Sequence, residues 1–128
     1  MIDYLMDTHV LLWTMFEPKK LSQLAQEIII DTSKPKFISV TSVWEIAIKN
    51  RIGKLPLSMG VDEIFNNLDA SNTGIVGIDY QHIEIYATLP LLHRDPFDGI
   101  IIATAILEKM TIITADENIQ KYDVPWVW

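Results

Sequence analysis

Apolar residues fall in short blocks along this chain, and polar turn residues separate the blocks. Residues 2–6 form an apolar run closed by Asp7 and predict a strand. Residues 8–16 stay apolar up to Glu17-Pro18 and predict a helix. Ser22 can cap a second helix running through about Asp31. Residues 36–40, rich in β-branched and aromatic side chains, predict a strand. A helix over 42–50, ended by Gly53 and Pro56, and a shorter one over 61–68 follow. Residues 75–78 predict a strand and 80–88 a helix. A long helix spans 96–109, with Asp95 as its cap and Pro96 at its first position. Residues 111–114 predict a strand, 116–122 a short helix and 126–128 a last strand.

Strands that alternate with helices imply an α/β fold. The apolar runs are continuous, as in parallel strands buried on both faces. The expected architecture is a single domain over residues 1–128. Its central sheet is mostly parallel, has about four or five strands, and is flanked by helices on both faces. In such folds ligands sit outside the carboxyl ends of the strands, so the residues just after each strand come under scrutiny.

Composition narrows the classes. The 128 residues are 49% hydrophobic, enough for an ordinary globular core, and the absence of cysteine excludes disulfides, thiolate zinc sites and cysteine nucleophiles. Residues 1–7 carry acids where a signal peptide needs a positive start, and no apolar run approaches the ~20 residues of a membrane span. A cytoplasmic protein without membrane contact is therefore expected. The formal charge of −7 argues at first against nucleic acid. The charge is uneven, however. Residues 1–56 hold six acids and seven bases, whereas 57–128 hold eleven acids and three bases.

Several of those acids stand at strand ends. Asp7 follows the first strand, Glu45 lies on the first turn of the helix after the second, Asp95 and Asp98 open the long helix, and Asp116 follows the strand over 111–114. Helix capping alone explains each one: Asp7 and Asp116 suit N-cap positions, Ser42-x-x-Glu45 matches a capping box and Asp95-x-x-Asp98 resembles one. Jointly they suggest more. The helix after Asp98 is apolar all round and so belongs in the core, and carboxylates at the mouth of a buried element are costly unless paired or metal-bound. Four carboxylates carry about −4, which two Mg²⁺ would balance.

Four segments together resemble the PIN-domain family, and more closely the VapC-type toxins of toxin–antitoxin pairs. They are Asp7-Thr8-His9-Val10-Leu11-Leu12-Trp13, Ser42-Val43-Trp44-Glu45-Ile46-Ala47-Ile48-Lys49, His93-Arg94-Asp95-Pro96-Phe97-Asp98 with Ile102-Ala103, and Thr114-Ala115-Asp116. The resemblance runs in order over nearly the whole chain. It implies a metal-dependent endoribonuclease whose acidic quartet is Asp7, Glu45, Asp98 and Asp116, holding one or two Mg²⁺ or Mn²⁺ ions. Asp95 would be an additional acid, and Thr8 and Thr114 lie where similar proteins carry hydroxyls near the metal. Similar sequences often place arginine after the last Asp of the third segment, where this chain has Gly99. The implied partners are an RNA substrate (tRNA, rRNA or mRNA), an antitoxin covering the acidic groove, and a second copy in a homodimer.

Lys49, Arg51, Lys54 and Arg94 are candidate contacts to the RNA backbone, although an ordinary solvated face and an i,i+4 Glu45–Lys49 pair explain them equally. His9, His82 and His93 look too scattered for a ligand set and suit surface or packing roles. Trp13 and Trp44 read as core residues, and Trp126 and Trp128 share one face of a strand, as core or dimer contacts. Two other classes stay open. One is a non-catalytic acidic pocket that receives a basic peptide. The other is a phosphoaspartate protein, either a receiver or a phosphatase. A receiver wants paired acids after its first strand, and this phosphatase class wants Asp-x-Asp there, where His9 stands.

Overall fold

A computed structural model describes residues 1–55 and 60–128, so Pro56, the expected helix terminator, lies outside the described residues. Five strands form one sheet: β1 (Tyr4–Met6), β2 (Lys36–Ser39), β3 (Gly74–Val76), β4 (Thr111–Ile113) and β5 (Trp126–Val127). Their order is β3-β2-β1-β4-β5, and every pairing is parallel. The expected parallel α/β sheet is therefore present, with all five strands in it.

The strands bury both faces because successive side chains point to opposite sides. Tyr4, Met6, Ile38 and Ile113 join one core with Val10, Leu11, Ala25, Ile28, Ile46 and Ile64. These come from α1 (Thr8–Phe16), α2 (Gln23–Ile30), α3 (Val40–Arg51) and α4 (Val61–Ala70). Leu5 and Ile112 face the other core, made with Ile101, Ile102, Ala105, Ile119 and Tyr122. Its helices are α6 (Pro96–Glu108) and α7 (Glu117–Gln120), and α5 (Tyr80–Thr88) packs along α6. Residues 101–103 of α6 are wholly buried, as the all-round apolar pattern of that helix predicts.

The chain winds from β1 to β2 to β3 in one direction, then crosses to β4 and β5 on the other side of β1. The topological switch therefore lies between β1 and β4, which are in register at Met6 and Ile113. A crevice opens at such a switch because the two connections leave in opposite directions. Asp7 and Thr114 are the next residues on its two walls. The order also excludes a receiver domain, whose strands run 2-1-3-4-5.

Three local expectations are corrected. α3 starts at Val40, and its cap is Ser39, whose hydroxyl accepts from the Thr41 N–H. Ser42-x-x-Glu45 is thus no capping box, and Glu45 sits in the second turn. β3 spans Gly74–Val76, displaced toward the N-terminus from the predicted 75–78. Trp44 is 60% exposed and stands edge-on to Phe97 at 5.1 Å between ring centres, whereas Trp13 and Trp128 do pack against the first core.

Candidate active site

Asp7 leaves the end of β1 and caps α1, where its Oδ1 accepts from the Val10 N–H at 2.8 Å. Its other oxygen accepts from the Thr114 hydroxyl at the end of β4. Thr114 Oγ1 in turn accepts from the Asp116 N–H at 3.0 Å. The two walls of the crevice are thereby joined through a buried threonine. Asp116 caps α7 by accepting from the Asn118 N–H at 2.9 Å. Asp95 caps α6 by accepting from the Phe97 and Asp98 N–H groups. The capping interpretation of these three acids is correct, and it is also the means by which the fold points them at one rim.

Glu45 lies on the buried side of α3 and meets the residue that follows Asp7. Its Oε1 accepts from the Thr8 hydroxyl at 2.8 Å, and its Oε2 pairs with Lys49 Nζ at 2.9 Å. Thr8 also lies 3.0 Å from the Ser42 hydroxyl, so Ser42 links α3 to α1 rather than starting a helix. Both oxygens of Asp7 and both of Glu45 thus face hydrogen-bond donors supplied by the chain itself.

Asp98 is different. It is buried on the first turn of α6, and its Oδ2 lies 3.0 Å from His93 Nε2. Burial pushes its carboxyl up to about 7; the neighbouring Asp95, Asp116 and Asp7 carboxylates add to the rise and His93 opposes it. Burial also raises Asp7, against the hydrogen bonds from Thr114 and Val10. Carboxyls held near neutrality by burial and by each other are electrostatically suited to a cation.

Among the described residues, one group offers three ligand atoms within 4.8 Å of one another: His93, Asp98 and Asp116. The expectation for His93 is therefore corrected. It lies at the site, in a loop whose residues 90–95 carry no periodic signal. The clue in the sequence is that it opens the third of the four resembling segments, five residues before Asp98. His82 instead packs under the α5 cap, 3.1 Å from Asp79, and exposed His9 lines a shallow recess of about 230 Å³ with Asp7, Trp13 and Asp116. Arg51, Lys54 and Arg94 are exposed, and Lys49 is half-buried against Glu45.

The fold is shared with solved toxin–antitoxin proteins. A VapBC2 complex from Rickettsia felis, bound to a DNA fragment from its promoter, superposes with a TM-score of 0.73 at 16% identity, covering 98% of each chain. A toxin–antitoxin complex from Klebsiella pneumoniae gives 0.65 at 19% identity, over 98% of this chain and 96% of that one. FitAcB from Neisseria gonorrhoeae gives 0.68 at 20% identity, again over 98% and 96%. No curated protein sequence matches the chain. The family model described as the PIN domain matches residues 4–125, which is nearly the entire sequence and includes every acid of the site. The chain belongs to the PIN domain family.

Proposed function

We propose that this protein is a metal-dependent endoribonuclease, the toxin of a toxin–antitoxin pair, with residues 1–128 acting as one nuclease unit in the cytoplasm. The observation that carries the reading is the convergence of Asp7, Asp98 and Asp116 at the β1/β4 switch, with Asp7 and Asp98 both pushed toward their neutral forms. In a PIN-family chain this arrangement suits one or two Mg²⁺ or Mn²⁺ ions. Asp7, Glu45, Asp98 and Asp116 would hold them, directly or through water. When bound, the metal would lower the pKa of a water and neutralise charge on the scissile phosphate.

The chain's own groups have separable tasks. Thr114 holds Asp7 in place across the switch, and Thr8 orients Glu45. Asp95 fixes the start of α6 and adds negative charge beside Asp98. Lys49, Arg51, Lys54 and Arg94 are the cations available to an RNA backbone beside the acids. RNA cleavage assayed with Mg²⁺ or Mn²⁺, with EDTA and with Asp98→Asn tests the reading. Metal-independent cleavage, or full activity of the variant, sinks it.

The partners follow from two surfaces. An antitoxin segment carrying a cation suits the acidic rim, since an arginine fork can engage paired carboxylates. A homodimer suits the apolar face where Trp44, Ile78, Ile83, Tyr86 and Phe97 line a recess of about 290 Å³. Light scattering on the wild type and Trp44→Glu tests that face: a monomeric wild type rules it out. The module reading predicts tight binding of a basic peptide and no cleavage under any metal condition. Among the described residues no helix is long and apolar enough to cross a membrane.

A further inference from the structure

We infer that His93 supplies a nitrogen ligand to the metal held by Asp98 and Asp116, which makes this an imidazole–carboxylate site that selects Mn²⁺ over Mg²⁺. The inference rests on the metal-dependent reading above and adds to it a donor outside the acidic quartet.

Three observations support it. His93, Asp98 and Asp116 bring their ligand atoms within 4.8 Å of one another, whereas no such trio among the described residues includes Asp7 or Glu45. The latter two already face donors from Thr8, Val10, Lys49 and Thr114. Second, His93 Nε2 and Asp98 Oδ2 are 3.0 Å apart. Adjacent ligands of an octahedral ion with bonds near 2.1 Å are also separated by about 3 Å, so a metal can replace the proton between them with little rearrangement. Third, the imidazole is held in place by its backbone. The His93 N–H donates to the Tyr122 hydroxyl at 3.0 Å, and Tyr122 is buried in the second core.

Ligand type then sets preference. Mg²⁺ takes hard oxygen ligands and holds its waters tightly, whereas imidazole suits transition ions. A nitrogen in the donor set therefore shifts selectivity toward Mn²⁺.

The test uses Mn²⁺ and Mg²⁺ salts with the full chain. Pulsed EPR of the Mn²⁺-loaded wild type should show coupling to a ¹⁴N nucleus. His93→Gln should abolish it, and His9→Gln should leave it intact. By calorimetry, the Mn²⁺-over-Mg²⁺ preference should fall about tenfold in His93→Gln, while the metal-free melting temperature stays close to that of the wild type. Mn²⁺ binding without nitrogen coupling in the wild type overturns the inference and leaves the acidic site standing, whatever the folding of the variants. Coupling that disappears in His9→Gln instead, or an unchanged preference in His93→Gln, overturns it equally. Failure of Mn²⁺ to bind the wild type at millimolar concentration removes the inference and the metal-dependent reading together.

Discussion

Gly99 lies so close under the ring of Tyr86 that a β-carbon there would sit 2.4 Å from Tyr86 Cε1. Gly99 is a contact point between α5 and α6. Gly99→Ala gains up to about 1 kcal/mol of helix propensity, but the overpacking costs about 1–3 kcal/mol. The net result should be a modest loss of stability in chemical denaturation, larger for Gly99→Arg. In a Tyr86→Ala background the obstacle is gone, and Gly99→Ala should become stabilising. An equal cost in both backgrounds would contradict the contact.

Thr114 is wholly buried, and its single hydroxyl donates to Asp7 while accepting from the Asp116 N–H. Thr114→Val keeps the shape and removes both bonds. Leaving a buried carboxylate short of a donor costs about 1–3 kcal/mol, and the loss should appear as a lower melting temperature. Activity should fall as well, because Asp7 is no longer fixed across the β1/β4 crevice. Thr114→Ser, which keeps the hydroxyl, should restore most of both. A valine variant as active as the wild type would show that this bridge does not position Asp7.

The Asp98 carboxyl, pushed up to about 7 chiefly by burial, gives the metal-free protein a pH dependence of predictable sign. Between its ordinary value near 4 and about 7, the folded chain keeps this proton while the unfolded chain gives it up. The unfolded state then binds fewer protons, so stability falls as pH rises through that window and levels off above it. Asp98→Asn lacks the group, so its melting temperature should decline less with pH and exceed that of the wild type near pH 8. Adding Mg²⁺ or Mn²⁺ at that pH should raise the melting temperature of the wild type more than that of the variant. Parallel curves for the two proteins would refute the assignment.

The strength of the sequence pattern decided what could be read in advance. Continuous apolar runs such as 111–114 announced buried parallel strands, and the all-round apolar character of 100–107 announced the central helix, because burial acts directly on residue type. The acids were legible as candidates since strand ends in a parallel sheet share one rim. Ser39 rather than Ser42 as the cap of α3 was not legible, because two hydroxyl residues three apart offer equivalent caps. Nor was His93, which depends on the loop being anchored by Tyr122, a contact 29 residues away in sequence. The sequence pattern marks Lys36 only as the start of a strand. Its buried amine in fact donates to the carbonyls of Ile28, Asp31 and Lys34, closing the end of α2. Tertiary interactions of this kind leave no local signature.

Arg51, the last residue of α3, and Lys54 just beyond it are both exposed, and α3 is the helix that carries Glu45. If both pair with RNA phosphates, Arg51→Gln with Lys54→Gln should weaken binding of a single-stranded RNA similarly across sequences. The slope of log K against log salt should become shallower by about 0.7 for each phosphate no longer neutralised, or roughly 1.4 for the pair. Maximal cleavage at saturating RNA should change little, because neither side chain is within the acid cluster. Lys49→Gln behaves differently: it removes the 2.9 Å partner of a Glu45 oxygen and should lower the maximal rate. Fluorescence titrations of labelled RNA over a range of KCl, made with Ca²⁺ in place of the catalytic metal, measure the slope. An unchanged slope in the double variant would remove Arg51 and Lys54 from the RNA path and leave Lys49 and Arg94 as the remaining candidate cations.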